Sequence, residues 1–237
     1  MINHKKVLGL VLARAGSKGL PGKNIKLING EPLIHWTIAS GLASVYIDDV
    51  VVSTDGEDIA RVAIQSGAEV PFLRPAELAT DTASSVDAIF HALDWLIEHA
   101  RKYEIIVLLE PTSPLRDSRD IDTALEIMEQ NQANSVVSVC RAESLHPAFM
   151  YFVNSSGALH PYTNQQPNGL RRQDIEPVYF LDGTVYCSYT EILRSKNGFY
   201  HEGTYAYIVP KWKSLEIDDE DDFVMVEALM KFKNGKA

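Results

Sequence analysis

Residues Leu12 to Asn24, LARAGSKGLPGKN, place Gly16, Gly19 and Gly22 among Arg14, Lys18 and Lys23 directly after an apolar run. Glycine lets the chain turn tightly and present backbone N–H groups to an anion, and the three cations add positive charge, so the segment suits the phosphates of a nucleoside triphosphate. The spacing fits neither G-x-G-x-x-G nor G-x-x-x-x-G-K-[ST], which rules out a Walker-type P-loop. A second cluster, LEIDDEDD at 215–222, carries carboxylates. If the chain is extended there, Glu216 and Asp218 project to one side, where two carboxylates can share a hard divalent cation such as Mg²⁺. Asp219, with Asp222 three residues on, reads instead as a helix N-terminus. A third feature, DTASS at 81–85, follows Arg74-Pro75. The hydroxyls of Ser84 and Ser85 either cap a helix or read the edge of a base. His35, His91 and His99 lack the spacing of metal ligands and read as packing or surface residues, and no Ser/His/Asp set is recognisable.

The elements that must position these groups alternate. Val7 to Ala13 reads as a strand, Pro32 to Ala43 as a helix, Asp49 to Thr54 as a strand, Asp55 to Ser66 as a helix stopped by Gly67, and Val70 to Leu73 as a further strand. Thr82 to Arg101 puts Val86, Ile89, Phe90, Leu93 and Ile97 on one helical face, with Ser84 and Asp87 spaced as a variant capping box. Ile105 to Leu109 is an unbroken apolar run, hence a strand buried on both faces. Such βαβ alternation predicts an α/β fold with a mostly parallel sheet, whose ligands bind at the carboxyl ends of the strands. Arg14, Asp55 and Glu110 then share one rim. After Ser135 to Cys140 the stretch His146 to Pro177 is proline-rich, polar and without helical period, too long for an ordinary loop. Val178 to Ser188, Tyr205 to Val209 and Leu215 to Ile217 look strand-like, and Asp219 to Phe232 closes as an amphipathic helix.

Composition narrows the function classes. A formal charge of −10 opposes non-specific attraction to nucleic acid or to an anionic membrane. The apolar run before Arg14 is too short for a membrane span and poorly matched to a signal peptide, so the expected location is the cytoplasm. Cys140 and Cys187 are far apart and read as reduced core residues. One core over residues 1–237 is expected from the length.

Taken together, LARAGSKGLPGKN, VVVSTDGEDIA, FLRPAELATDTASS, PTSPLR, SVVSV and EIDDEDD resemble the acylneuraminate cytidylyltransferase family over nearly the whole chain. The resemblance implies a Rossmann-like nucleotidyltransferase fold with a small dimerisation and sugar-binding arm at 141–180, and a homodimer. It implies transfer of CMP from CTP to a sialic or related nonulosonic sugar acid with Mg²⁺. Leu12, Ala13, Arg14, Gly16, Ser17, Lys18, Gly19, Lys23, Asn24, Arg74, Ser84 and Ser85 would then bind the nucleotide. Arg14, Lys18, Lys23 and Asp218 would serve catalysis, and Glu216 with Asp218 would hold the metal. Glu110, Arg172, Phe180, Asp182 and Tyr186 would face the sugar. The chain departs from the family where Glu110 replaces a common glutamine before PTSPLR, where Phe180-Leu181-Asp182-Gly183 replaces R-x-N-G, and where Glu216 replaces an aspartate. The first two of these changes, at Glu110 and at Phe180 and Asp182, fall in the family's sugar pocket, make it more acidic and suggest an acceptor other than plain N-acetylneuraminate; the third is at the metal position. An octulosonate acceptor, a sugar-phosphate substrate with another nucleotide, and a catalytically silent nucleotide-binding regulator remain as other readings.

Overall fold

A computed structural model describes residues 1–143, 145–163, 171 and 175–234. The aliphatic run Val7–Leu12 is buried almost throughout and forms β1. The loop after it ends in a small hairpin, β2 Leu27–Ile28 and β3 Glu31–Pro32, which leads into α1 Leu33–Leu42. Strand β4 Asp49–Ser53 and helix α2 Glu57–Gln65 follow, then α3 Ser85–Glu98 and β5 Ile105–Leu108. Helix α4 Ser118–Gln130 precedes β6 Ser135–Arg141. An outlying hairpin pairs β7 Tyr151–Val153 with β8 Leu159–Pro161. The long β9 Tyr179–Tyr189, α5 Thr190–Lys196, β10 Thr204–Ile208 and α6 Glu220–Asn234 complete the chain.

Six strands form one sheet in the order β10-β6-β9-β5-β1-β4. β1 is parallel to β4 and β5, and β10 is parallel to β6, while β9 runs antiparallel between β5 and β6. Because β9 is reversed, its first residues reach the rim where the other strands end, which brings Asp182 and Gly183 to the level of Glu110. Alternation along the strands divides the core. Val7 and Val11 of β1 face α1, α2 and α4, whereas Leu8 and Leu10 face α3 and α5. A third cluster joins Leu20 of the glycine-rich loop, Ile28, Leu33, Leu115 and Ile217 to Phe223, Val226 and Met230 of α6. That small core fixes the first loop, the segment after Pro111 and the acidic C-terminal segment against one another.

Several sequence expectations are corrected. Val70 to Leu73 is no strand: within it only Leu73 makes an isolated bridge, to Thr54, and the preceding Glu69 makes another, to Val51. Leu215 to Ile217 is no strand either, since the Ile217 N–H donates to Thr112 O at 2.8 Å and its carbonyl accepts from Lys23 Nζ at 2.6 Å, so a loop and a side chain replace a ladder. On α3 the buried stripe is Ile89, Leu93 and Leu96 rather than one including Ile97, which is 52% exposed. Spacing of four and three residues follows the helical period equally well, and packing selects Leu96. The stretch from His146 is not wholly irregular, as it holds a 3₁₀ turn at Pro147–Phe149 and the β7–β8 hairpin. Cys140 and Cys187 are buried and free, as expected.

Candidate active site

At the carboxyl rim of β1, β4 and β5 lies a cleft of about 560 Å³ lined by Leu12, Arg14, Ser17, Lys18, Gly19, Lys23, Asn24, Arg74, Ser84, Ser85, Glu110, Glu216 and Asp218. Ten residues of the expected nucleotide set therefore share one space with Glu110 and both expected metal ligands. Ala13 and Gly16 do not line it. Ala13 is buried, its N–H donating to Ser53 O at 3.1 Å.

The glycines differ in purpose. Gly19 is pressed so closely on the Asp218 carbonyl that a β-carbon would collide with backbone. Gly22 has φ +68, a left-handed conformation that favours glycine, whereas a β-carbon at Gly16 would meet nothing within 4 Å. Asn24 is buried and donates to Arg14 O at 3.0 Å, fastening the end of the loop to its start. The Ala15 N–H donates to Asp55 Oδ1 at 2.9 Å, the role found for the acid at the end of β4.

Arg74 is 7% exposed and donates to Ser53 O at 2.6 Å and Leu78 O at 3.4 Å. Burial draws its pKa below the ordinary arginine value. It braces the segment after β4 with both terminal nitrogens, its Nε is buried without a partner, and the residue lines the cleft. Ser84 resolves toward the cap: its Oγ accepts from the Val86 N–H at 3.1 Å, although Ser84 also lines the cleft.

At the acidic end, Asp219 Oδ1 accepts from the Asp222 N–H at 3.0 Å, and Asp222 Oδ2 accepts from the Asp219 N–H at 3.3 Å. This reciprocal pair caps α6; Asp222 Oδ2 also accepts from the Asp218 N–H at 3.0 Å, so only the Asp218 side chain is left outside the cap. Asp218 meets Lys23 at 3.3 Å. Glu216 and Glu110 crowd Gly183, where φ is +66 and a β-carbon would stand 2.6 Å from Glu216 Oε1 and 2.8 Å from Glu110 Oε2. The left-handed backbone favours glycine here, and any β-carbon would require both flexible carboxylates to move aside. Burial, then the Glu110 and Asp218 charges, push Glu216 up to about 8. Burial also raises Glu110, opposed by Arg116.

Among the described residues no three His, Cys, Asp or Glu side chains form a metal-holding group. A hard cation here would take at most two protein carboxylates, with the remaining oxygens from water or phosphate, which is the usual habit of magnesium. The donor chemistry of Glu216 and Asp218 fits that pattern.

A carboxyl raised on folding stays protonated in the folded state while the unfolded chain has already ionised, so stability falls as pH rises from the ordinary carboxylate range to about 8. The metal-free protein is expected to melt at a lower temperature near pH 8 than near pH 6, and Glu216→Gln is expected to flatten that difference. An undiminished slope in the variant, read by thermal melts, would contradict the assignment.

The sugar-side set is less united. Glu110 lines the cleft, but Asp182 is 1% exposed, and its Oδ1 accepts from the Thr184 N–H at 3.1 Å, so its carboxylate is turned into the protein. Phe180 sits in the β9–β6 ladder opposite Cys140. Tyr186 is buried beside Phe199 and Tyr200, with ring centroids at 5.6 and 6.2 Å. Arg172 lies outside the described residues.

Arg116 was only part of a quoted motif in the sequence and proves central. Fully buried, it donates to Ser40 Oγ at 3.2 Å, Thr184 O at 2.8 Å, Thr37 Oγ1 at 2.8 Å and Glu110 O at 3.2 Å. Burial lowers it to about 10. Lys213 works similarly, holding Asp117 at 2.7 Å and Asp120 at 2.6 Å at the capped start of α4, three residues before Glu216. Neither residue carries a local sequence signal, because both make their contacts with distant segments.

A glycine-shaped basic loop meeting a carboxylate pair at the carboxyl ends of a mostly parallel sheet defines a nucleotidyltransferase. Residues 8–202 match the cytidylyltransferase family, and the chain belongs to that family. It is 37% identical over 235 residues to CMP-N,N'-diacetyllegionaminic acid synthase of Legionella pneumophila, covering 95% of this chain and 96% of that protein. It is 35% identical over 223 residues to an N-acylneuraminate cytidylyltransferase of Streptococcus agalactiae, with 93% of this chain matched, and spans 52% of that longer protein. The fold is also that of CMP:2-keto-3-deoxy-manno-octonic acid synthetase, solved with CTP, at a TM-score of 0.69 and 19% identity over 96% of this chain and 99% of that one.

Proposed function

We propose that the protein transfers CMP from CTP to the anomeric hydroxyl of a nonulosonic acid and releases pyrophosphate. The observation that carries this reading is the single cleft in which Arg14, Lys18 and Lys23 meet Glu110, Glu216 and Asp218. Family membership and the two acyl-sugar relatives support the same nucleotide and acceptor class. The acceptor hydroxyl attacks the α-phosphorus in line, the bond to the β-phosphate oxygen breaks, the hydroxyl proton leaves to solvent, and pyrophosphate departs. Arg14, Lys18 and Lys23 hold the triphosphate and stabilise charge gathering on its oxygens, so no protein nucleophile is needed. Glu216 and Asp218 would hold a magnesium ion, whose chemistry there is charge neutralisation at phosphate oxygens.

Glu110 makes the acceptor end acidic, which favours an acceptor rich in hydrogen-bond donors or bearing an amino group over plain N-acetylneuraminate. The buried Asp182 contributes through β9 rather than by contact. The test is pyrophosphate release over a matrix of nucleotides and sugar acids, run on wild type and Glu110→Gln. CTP with a nonulosonic acid should give the highest rate, and Glu110→Gln should shift preference toward N-acetylneuraminate. Equal N-acetylneuraminate turnover by the two proteins would remove the acidic-pocket reading, and no turnover with CTP would remove the function.

A homodimer belongs to the same proposal. The hairpin exposes apolar side chains on both of its faces, Val153 at 67% and Leu159 at 62% on one and Phe152 at 59% against Tyr162 on the other, which a second copy would cover in part. Sedimentation showing only monomer at working concentration would overturn it. Among the described residues no helix is long and apolar enough to cross a membrane. A cytoplasmic location is part of the proposal, supported by the two unpaired cysteines.

A further inference from the structure

Every cation of the first loop is already paired with a carboxylate from another segment. Lys23 meets Asp218 at 3.3 Å. Asp81 is the more unusual partner, because its two oxygens divide between two cations: Oδ1 to Arg14 Nη1 at 2.7 Å and Oδ2 to Lys18 Nζ at 2.6 Å. A carboxylate bridging two cations in this way has the charge and the two-oxygen spread of a phosphate group. Asp81 belongs to the stretch between the 3₁₀ turn at Ala76–Leu78 and α3, and that stretch lines the same cleft through Thr80, Asp81 and Ala83. Its side chain is 41% exposed and Lys18 is 76% exposed, so each can part from the other without breaking a packed core.

We infer that Asp81 is an internal competitor for the triphosphate: it occupies Arg14 and Lys18 in the empty site, must be displaced when the nucleotide binds, and returns as pyrophosphate leaves. The inference rests on the triphosphate reading of the cleft. Asp81 touches no reacting atom on this account. It is a positioning residue that keeps the loop closed against residues 79–84 when empty and weakens the hold on anions when full. Two exposed ion pairs set the scale of the effect at a few-fold rather than orders of magnitude.

The test is calorimetric titration of the full chain with CTP and, separately, with inorganic pyrophosphate, for wild type, D81N and D81E. D81N keeps the shape and removes the charge, and is expected to bind both ligands about fivefold tighter at low salt. The gain should shrink at high salt as the competing charges are screened. In turnover, KM for CTP and the inhibition constant of pyrophosphate should fall by a similar factor while kcat does not rise, and D81E should return toward wild type. A merely structural tether would leave both affinities unchanged or weaken them, and either result overturns the inference. Thermal melts confirm that each variant is folded. Failure of wild type to bind either ligand would remove the triphosphate reading and this inference together, whereas wild-type binding without a gain in D81N removes this inference alone.

Discussion

Lys23→Met is expected to lower kcat/KM for CTP by about 10²–10³, because an ammonium aimed at developing phosphate charge in a partly desolvated site is worth about 3–4 kcal/mol. Lys23 is better placed for this than Arg14 or Lys18. Its side chain is 11% exposed, against 34% for Arg14 and 76% for Lys18, so its field is least screened by water. It also holds the Ile217 carbonyl at 2.6 Å, which ties the loop to the segment bearing Glu216 and Asp218. Loss of that one hydrogen bond costs about 1 kcal/mol of stability, so the variant should remain folded while its turnover collapses. Steady-state kinetics beside a thermal melt separate the two effects. A fall of less than about threefold in kcat/KM would mean that Lys23 is a structural tether only.

Arg116→Ala carries the largest expected loss of stability. Four acceptors from three segments depend on this guanidinium: Ser40 and Thr37 of α1, the Thr184 carbonyl of β9 and the Glu110 carbonyl after β5. Deleting it takes a donor from each of these buried acceptors, leaving the Glu110 carbonyl with only the Thr37 hydroxyl and the Ser113 N–H, both at 3.3 Å, and removes the cation that opposes the rise in the Glu110 pKa. The expected cost is about 3–5 kcal/mol, in the range found when one member of a buried charged network is removed. Arg116→Lys should recover little of it, since a point charge on a flexible stem cannot reproduce the planar fork. Chemical denaturation checks this through a lowered midpoint at unchanged slope. A loss below about 1 kcal/mol would show that α1, β5 and β9 are held together by packing without it. Because Arg116 fixes the backbone of Glu110 and Thr184, surviving folded enzyme should be impaired for the sugar acid more than for CTP.

The first loop was legible because its evidence is local: glycines and cations directly after a buried strand restrict both backbone and charge. The cap at Asp219 and Asp222 was legible for the same reason. What escaped depends on residues far apart in sequence. Nothing near Arg116 shows that it bridges α1 and β9, and nothing near Asp182 shows that its carboxylate turns onto its own strand. Gly183 reads as an ordinary glycine until Glu110 and Glu216 are seen on either side of it. Leu215 to Ile217 has strand composition, yet Ile217 is satisfied by the Thr112 carbonyl and the Lys23 ammonium rather than by a strand partner. The reversed β9 was equally hidden, since direction within a sheet leaves no mark on an apolar run. Its reversal is what brings Phe180 and Asp182 toward the rim where the glycine-rich loop lies.

Cytidylyl transfer itself is tested most directly by following the α-phosphorus. With CTP labelled at that position, a nonulosonic acid and Mg²⁺, the account predicts that all transferred label appears in a product with the combined mass of the sugar acid and CMP less water, and that unlabelled pyrophosphate forms in equal amount. Label retained in CDP with phosphate on the sugar, or label in CMP without a sugar adduct, would contradict it.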